Sequence, residues 1–444
     1  MGATAIGLVF GALCVAALMR PWIGAAGYFG FAVLCPQWNW RWSLPDWDFQ
    51  KFLAAATLAG FLLSGFRYGR PRRGDAASLA LLGVTTLLQY AAAGGTRNPE
   101  STAFFLDIFW KIALMATLAA GLFTDRASIR STAIALSIGQ GWNAWNINQL
   151  YYQRSFLNLN DFRWNYLDNN TYSISTVPIF ALTLATLFTD RRRWVRGVMA
   201  LVAVLQLHQI MILESRGTML GVLLLLVIAV WRMPRRRINY GMVCGGMLAG
   251  AVLAGPPVVQ EFSTIFRGDG ERDSSADSRF HLWKAGLAIT ADHPVLGVGP
   301  WSGQMLVPEY YEGELPPGTR RKALHNLLFE LSTGSGVPAT ICFLGFFWFP
   351  WRAAGRQLNE RSPEDPDDSM VPLAVYAGVP AFWLASMFSS GLLIESPYVL
   401  VALGIAWHRV SAVAEPVTQA DWSDAISGAN VGFDAPEPPA IQWG

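Results

Sequence analysis

The sequence has little charge for its length. Asp, Glu, Lys and Arg make up 14% of its 444 residues, whereas hydrophobic residues make up 52%. A soluble chain carries about 25% charged residues. This deficit, with a mean hydropathy of +0.31, excludes one or two large soluble domains and indicates a polytopic membrane protein. The formal net charge of +2 identifies no partner by itself, and we predict no nucleic-acid binding.

Cysteine is also scarce. The four cysteines lie in or at the edge of apolar runs, and no loop holds a pair. We therefore expect neither a disulfide framework nor a zinc site. The acidic segment 267–278 lacks the spacing of an EF-hand and is predicted to be a solvated loop. "GVGPWSG" at 297–303 is not a dinucleotide fingerprint, and no Walker loop or Ser-His-Asp spacing is present. We predict no metal and no cofactor.

Long apolar runs make up most of the sequence. About 20 apolar residues cross a bilayer, and thirteen candidate segments occur. The first two are short and could form one hairpin, which gives an all-α fold of 12 or 13 transmembrane helices. No basic segment precedes the first run, so we predict a retained helix rather than a signal peptide. The segments are 3–19, 22–35, 51–66, 76–94, 103–123, 130–148, 174–189, 194–213, 216–232, 238–255, 325–350, 371–393 and 397–411.

Arginine is distributed unevenly between alternate loops. Five loops hold 17 arginines, whereas the three short loops between them hold four. Positive charge stays on the cytoplasmic side, so the arginine-poor loops and the long loop 256–324 are predicted to face outwards. The arginine-rich loops lie within 66–73, 125–130, 190–196, 232–237 and 352–361, and the arginine-poor ones are 36–50, 94–101 and 149–173.

This orientation divides the chain into four predicted parts. Residues 1–255 form the first transmembrane helices, and 256–324 form a long outer loop. Residues 325–411 form the last transmembrane helices. The tail 412–444 is rich in Pro, Ala, Gly and Asp without a periodic pattern, so we expect it to be cytoplasmic and disordered.

Two cations lie inside predicted spans near the outer face. Arg216 opens the run "RGTMLGVLLLLVIAVW", and Lys111 lies within "LDIFWKIALMA". Charged residues in membrane segments are costly and are usually functional. The alternatives are an arginine that snorkels to the interface and a lysine that pairs with Asp107 one turn earlier.

The outer segment 146–173 mixes aromatic residues with Asn and Asp. Such a mixture suits a sugar, because rings stack on pyranose faces while polar groups bind hydroxyls. The alternative is an interfacial aromatic belt. Asp168 and Asn169 are candidate binding residues here, although they also precede a helix that an Asn or Thr171 would cap.

The long loop contains "SRFHLWKAGLAITADHPVLGVGPWSG" from 278 to 303. Ser278 is predicted to cap an amphipathic helix that runs to about Ala291 and lies on the outer membrane face. Arg279 and Trp283 share one side of it. The following glycines and Pro300 are predicted to form a tight turn that orients the Trp301 side chain.

Arg216, Arg279 and His325 are all predicted to lie on the outer face. Two arginines and a histidine at one membrane surface are suited to a pyrophosphate, because guanidinium groups pair with phosphate oxygens. Histidine can donate to phosphate or take a proton near neutral pH. A lone histidine is more often structural, and its proximity to the arginines is what favours a site.

The order "ESRGTMLG", a further span, the long loop just quoted and then "ALHNLLFEL" resembles the O-antigen ligase/polymerase superfamily. The resemblance covers roughly 210–350. It implies a GT-C-like, multi-pass enzyme of the bacterial inner membrane, with its active site facing the periplasm. The donor would be an undecaprenyl-pyrophosphate-linked glycan. The acceptor would be a hydroxyl of lipid A core, of another glycan or of a protein.

By this resemblance, Arg216 and Arg279 hold the pyrophosphate, and His325 is the base or a further pyrophosphate contact. The reaction it implies is independent of metal and inverts the anomeric centre. Asp161 and Asp168 are weaker candidates for the base. Further candidate substrate contacts are Lys111, Asp168, Asn169, Trp283, Lys284, Trp301 and Asn326.

Three other functions remain open at this point. A polymerase of the same superfamily would use the same donor, with a second lipid-linked glycan as acceptor. A transporter or flippase for lipid-linked sugars would require charges at mid-membrane and an inverted repeat. The chain instead clusters its charges at one face and has no internal repeat. A non-catalytic assembly partner is the last alternative.

Overall fold

The protein was analysed as a computed structural model that describes residues 2–44, 47–154, 157–159, 168–253, 274–360 and 366–413. These ranges contain helices and turns and no strand, which confirms the prediction of an all-α polytopic membrane protein. The acidic residues Asp269, Glu271 and Asp273, the candidate base Asp161 and the tail beyond 413 lie outside the described ranges.

Sixteen α-helices are found in the described part of the chain, with a 3₁₀ turn at Pro366–Ser369. They are α1 (Gly2–Met19), α2 (Pro21–Leu34), α3 (Pro36–Asn39), α4 (Phe49–Leu63), α5 (Arg73–Ala93), α6 (Pro99–Leu122), α7 (Arg126–Arg154), α8 (Asn169–Thr189), α9 (Arg193–Ile212), α10 (Arg216–Arg232), α11 (Arg237–Leu253), α12 (Ser274–Asp292), α13 (Gly303–Tyr310), α14 (Leu327–Glu360), α15 (Met370–Ser386) and α16 (Glu395–Val413).

Each of the thirteen predicted apolar segments coincides with one of these helices. Among the described residues, six helices are long and apolar enough to cross a membrane, namely α1, α5, α6, α8, α9 and α14. Three shorter apolar helices, α2, α4 and α15, accompany them. One predicted boundary was wrong: the segment 371–393 ends as a helix at Ser386, and residues 387–394 form a connection.

Helix α8 is at the centre of the bundle. It is almost completely buried and packs against α7, α9, α10, α15 and α16. A helix that is apolar on all sides belongs inside a bundle of this kind. Its threonines are satisfied locally: the hydroxyls of Thr183 and Thr189 donate to the carbonyl oxygens of Ile179 and Ala185 at 3.0 and 2.7 Å. Burial in the bundle therefore leaves these hydroxyl groups with partners.

The start of α8 corrects a prediction. The capping residue is Asp168, whose Oδ1 accepts a hydrogen bond from the Thr171 backbone N–H at 2.7 Å. The prediction of an Asn or Thr171 in this role is therefore wrong. Asp is as good a cap as Asn, and a carboxylate is also favoured by the positive end of the helix dipole.

Helix α12 begins earlier than predicted. It starts at Ser274 rather than at Ser278, so Arg279 lies inside the helix and not at its first residue. One side of α12 is buried through Leu282, Ala285 and Ile289 against α13 and the residues before α14. Phe280 and Leu287 are 55% and 63% exposed. Apolar residues therefore occur on both the buried and the exposed side of α12, and its amphipathic character stays a prediction.

Helix α14 is broken near its N-terminal end. Gly336 has φ 82° and ψ 170°, a conformation that is essentially restricted to glycine. In a regular helix the Val337 N–H would bond to the Thr333 carbonyl. Here the Val337 N–H donates to the Pro294 carbonyl, and the Val298 N–H donates to the Thr333 carbonyl, both at 2.8 Å. The turn at 294–298 therefore provides a hydrogen-bond partner for each of the two backbone groups that the break in the helix leaves without one.

Glycine is required on both sides of this junction. A Cβ atom on Gly336 would overlap the Val295 carbonyl, and a Cβ on Gly297, whose φ is 64°, would overlap the Thr333 carbonyl. The predicted tight turn is present. It places Trp301 against Phe104, with nearly parallel rings whose centroids are 5.7 Å apart.

We predict that Gly336→Ala destabilises the N-terminal end of α14. A side chain at this φ and ψ costs about 1–3 kcal/mol, and the overlap with Val295 adds to that cost. The melting temperature of the purified protein in detergent should fall. Gly83→Ala is the control, because a Cβ at this exposed position in α5 meets nothing within 4 Å. Equal melting temperatures for the two variants would contradict the role given to Gly336.

Candidate active site

The connection between α15 and α16, residues 387–394, brings the predicted site together. Its Phe388 packs against α10 and α12 at the same time. A Cβ atom on Gly217 would lie 2.5 Å from the Phe388 Cβ, so the absence of a side chain at 217 lets the two elements meet. The Arg279 guanidinium carbon is 5.9 Å from the centre of the Phe388 ring, and the Trp283 ring centre is also 5.9 Å from it.

Arg216 stands at the first residue of α10, next to Gly217. The turn before it is strained, because Glu214 has φ 54°, and the Ser215 and Thr218 hydroxyls bond to each other at 2.9 Å. The start of a helix carries partial positive charge from free N–H groups. A half-buried arginine adds to that charge, and the combination favours an anion.

The residues on either side of His325 are both held in place by their contacts. Leu324 before it is buried, and Asn326 after it caps α14. The Asn326 Oδ1 accepts from the Leu328 N–H at 2.9 Å, and its Nδ2 donates to the Met387 carbonyl at 3.2 Å. His325 itself has φ 49°. Left-handed backbone at a histidine persists where surrounding contacts determine it.

His325 interacts electrostatically with Arg279. Burial lowers the pKa of His325 below its ordinary value of 6.5, and the positive charges of Arg279 and Lys322 lower the pKa further. The Asp168 carboxylate acts in the opposite direction on the same pKa. The imidazole is therefore neutral at pH 7 and able to accept a proton.

Several other predicted contacts have structural partners. Asn169 holds the segment before α8, because its side chain bonds to the Leu159 N–H and the Leu157 carbonyl at 2.7 and 2.8 Å. Lys284 pairs with Glu312 at 3.0 Å on the surface. Lys111 pairs with Asp107 at 2.8 Å, which is the alternative given for it above. Substrate roles for these three residues stay predictions.

Sequence reasoning predicted Trp301 but missed the residues that lie around it. A small cavity is lined by Trp301, Gly303, Gln304, Leu324, Glu330 and Thr333. The Ser390 hydroxyl, from the same 387–394 connection, donates to the Glu330 carboxylate at 2.5 Å. The Ser-Ser-Gly triplet at 389–391 was the available signal that this stretch leaves the helix.

The described site thus has two adjoining parts. Phe388 joins Arg279 and Trp283 to the start of α10, where Arg216 lies, and His325 is within electrostatic reach of Arg279. The cavity with Trp301 and Glu330 begins at Leu324, the residue before His325. Together, the fold and this cluster define a multi-pass membrane protein in which two arginine-bearing helices and the segment that carries His325 meet at the 387–394 connection.

The family comparison agrees with this class. Residues 201–344, about a third of the chain, match the family model described as O-Antigen ligase, and this segment includes Arg216, Arg279 and His325. Over this segment the match supports the predicted resemblance to the O-antigen ligase superfamily, and it supports a glycosyltransferase of the O-antigen ligase/polymerase type. No curated protein matches the chain.

We predict that Phe388→Leu weakens anion binding at the arginine pair. The substitution keeps an apolar side chain but removes the ring beside Arg279, and a cation–π contact contributes about 0.5–2 kcal/mol. The affinity for inorganic pyrophosphate should fall about 2- to 30-fold in isothermal titration calorimetry. Phe52→Leu, at an exposed position in α4, should leave it unchanged. Unaltered affinity in Phe388→Leu would show that the ring does not support the site.

Proposed function

We propose that this protein is a ligase that transfers a glycan en bloc from an undecaprenyl-pyrophosphate donor to a hydroxyl acceptor. Arg216 and Arg279 bind the pyrophosphate, and His325 is the base. The observation that carries the proposal is the convergence at Phe388 of α10 and α12, the two helices that bear these arginines, with His325 electrostatically coupled to Arg279.

The arginines act on the leaving group. As the bond between the anomeric carbon and the phosphate oxygen breaks, the bonding electrons go to the lipid pyrophosphate and its negative charge grows. Fixed cations near a low-dielectric interface stabilise this charge more than water does.

The histidine acts on the nucleophile. The acceptor oxygen attacks the anomeric carbon from the side opposite the pyrophosphate, and its proton goes to the neutral imidazole of His325. This course inverts the anomeric centre and needs no metal. Asp168 is placed to stabilise the imidazolium that forms, since its carboxylate already favours the protonated histidine.

The remaining features of the proposal concern location and acceptor. The site lies on the periplasmic side of the bacterial inner membrane, as the arginine distribution of the loops predicts. The acceptor hydroxyl belongs to lipid A core, to a glycan or to a protein. The matching family is described as O-Antigen ligase, and we propose a ligase rather than a polymerase.

Reconstitution tests the assignment directly. Wild-type protein in liposomes, given an undecaprenyl-pyrophosphate oligosaccharide and lipid A core as acceptor, should form product in the presence of EDTA. Arg216→Ala and Arg279→Ala should each lower the transfer rate about 10²–10³-fold, and His325→Ala about 10²–10⁴-fold. Arg320→Ala, an exposed arginine of the same long loop, should retain the wild-type rate.

The outcomes separate the alternatives. Product from a second lipid-linked glycan, but not from lipid A core, identifies a polymerase. Movement of the glycolipid between leaflets without product identifies a transporter. Wild-type transfer by all three variants would refute the assignment of the site residues.

The pH profile tests His325 as the base. Because the neutral imidazole is the active form, the rate should be constant near pH 7 and should fall as the pH drops through the lowered pKa. Lys322→Gln removes one of the charges that lower this pKa, so the acidic limb should move to higher pH. Arg320→Gln is the matched control and should not move it. A limb that is insensitive to Lys322 would argue against His325 as the titrating group.

A further inference from the structure

Two arginine-rich loops lie side by side at one end of the helix bundle. Residues 190–196 connect α8 to α9, and residues 232–237 connect α10 to α11. The fully buried side chain of Asn239 joins the two loops. Its Oδ1 accepts a hydrogen bond from the Arg196 guanidinium at 2.5 Å, and its Nδ2 donates to the Pro234 carbonyl at 2.8 Å. The loops 190–196 and 232–237 therefore form one surface, the arginine patch.

The arginine patch carries charge of almost one sign. Each loop has four arginines, and Asp190 is the single acidic residue of the two loops. The Asp190 carboxylate already accepts hydrogen bonds from the backbone N–H and the guanidinium of Arg192, both at 2.8 Å. Arg196 and Arg236, one from each loop, interact electrostatically although both are positive. Because like charges repel, an anion bound between the loops would lower the electrostatic energy of the patch. The arginines are Arg191, Arg192, Arg193, Arg196, Arg232, Arg235, Arg236 and Arg237.

The C-terminal end of α14 lies beside the arginine patch and adds to its positive charge. The Arg232 guanidinium donates to the Asn359 side-chain oxygen at 2.6 Å, so the last turns of α14 adjoin the second loop. These turns carry two arginines, Arg352 and Arg356, and one acidic residue, Glu360. Two positive charges and one negative charge leave a net charge of +1, so α14 does not neutralise the patch.

Exposed apolar side chains lead along two helices to the arginine patch. They recur every three or four residues, which is the spacing of one helix face, and are Leu201, Val198 and Trp194 on α9 and Leu223, Val227 and Trp231 on α10. The Arg192 guanidinium lies over the ring of Trp194, 5.7 Å from its centre. The Arg232 guanidinium lies over the ring of Trp231 at 5.2 Å. Because tryptophan is enriched at the level of lipid head groups, the patch is at the depth of the lipid phosphates.

We propose that the arginine patch binds the head groups of anionic phospholipids in the adjoining leaflet. Guanidinium groups pair with phosphate oxygens and stay charged. Arginines in separate loops are enough to orient helices in a membrane, so the contact between the two loops is the feature that points to a ligand. A lipid with two phosphates can bridge the loops and binds most tightly. The proposal is independent of the transfer reaction, because the patch and Arg216 lie at opposite ends of α10.

A bound lipid of this kind has a structural effect. The patch contains the N-terminal residues of α9 and α11 and the C-terminal residue of α10. Phosphates that bridge the two loops therefore hold these three helix ends together, in addition to the hydrogen bonds of Asn239.

Lipid binding to the full chain tests the arginine patch. The protein is delipidated in a non-ionic detergent, and its affinities for cardiolipin, phosphatidylglycerol and phosphatidylcholine are measured by native mass spectrometry. Cardiolipin should bind most tightly and phosphatidylcholine most weakly. The double variant Arg235→Gln/Arg237→Gln removes two exposed arginines of the patch. It should bind cardiolipin about 30-fold more weakly, since each arginine near a lipid surface contributes roughly a factor of five. Its melting temperature without lipid should match that of the wild type.

A matched control and two competitors keep the result specific. Arg320→Gln/Arg321→Gln removes the same charge from two exposed arginines of the long loop and should bind cardiolipin as the wild type does. Equal affinities of the wild type for cardiolipin and phosphatidylcholine, or unchanged cardiolipin binding by the patch variant, overturn the proposal. Displacement of cardiolipin by millimolar glycerol phosphate would show a site for free phosphate instead. Tighter binding of an RNA oligonucleotide than of cardiolipin would show a site for a soluble polyanion, and either result also overturns the proposal.

Discussion

The exchange of hydrogen bonds at the break in α14 is the constraint on which the site depends. The helix gives up its bond between Val337 and Thr333, and the turn at 294–298 bonds to both groups. This turn directly follows α12, which bears Arg279, whereas α14 begins two residues after His325. The two halves of the candidate chemistry lie far apart in the sequence, and this junction fixes their relative position.

A second support acts from the opposite side. The 387–394 connection packs Phe388 between α10 and α12 and receives the Asn326 side chain on the Met387 carbonyl. Backbone strain is concentrated around these contacts, since Glu214, Trp301 and His325 all have left-handed φ values. Each such residue costs of order 1–3 kcal/mol and persists because its surroundings determine it. Glu214 lies two residues before Arg216, and His325 interacts electrostatically with Arg279, so strained backbone near both arginines fits a preorganised site.

Much of this architecture could be predicted from the sequence, for identifiable reasons. A long apolar run predicts a membrane helix without any knowledge of tertiary contacts, and all thirteen predicted segments fall on helices. Arg216 stood out because a cation at the hydrocarbon edge is costly, and Arg279 and His325 then followed from the predicted sidedness. The boundaries were less accurate: α12 begins four residues earlier than its expected Ser cap, and Asp168 rather than its neighbours caps α8. Phe388 and Glu330 were missed because each is ordinary in its local sequence. Only the tertiary contacts of Phe388 with Gly217, and of Glu330 with Ser390, distinguish them.

The junction at Gly336 also has a consequence for how the protein is made. Unsatisfied backbone groups in lipid cost several kcal/mol each, so a broken helix near the hydrocarbon is unfavourable until its free groups find partners. The partners here come from the turn that immediately precedes α14, and this turn leaves the ribosome before the helix does. The chain order therefore supplies the partner groups before the break needs them.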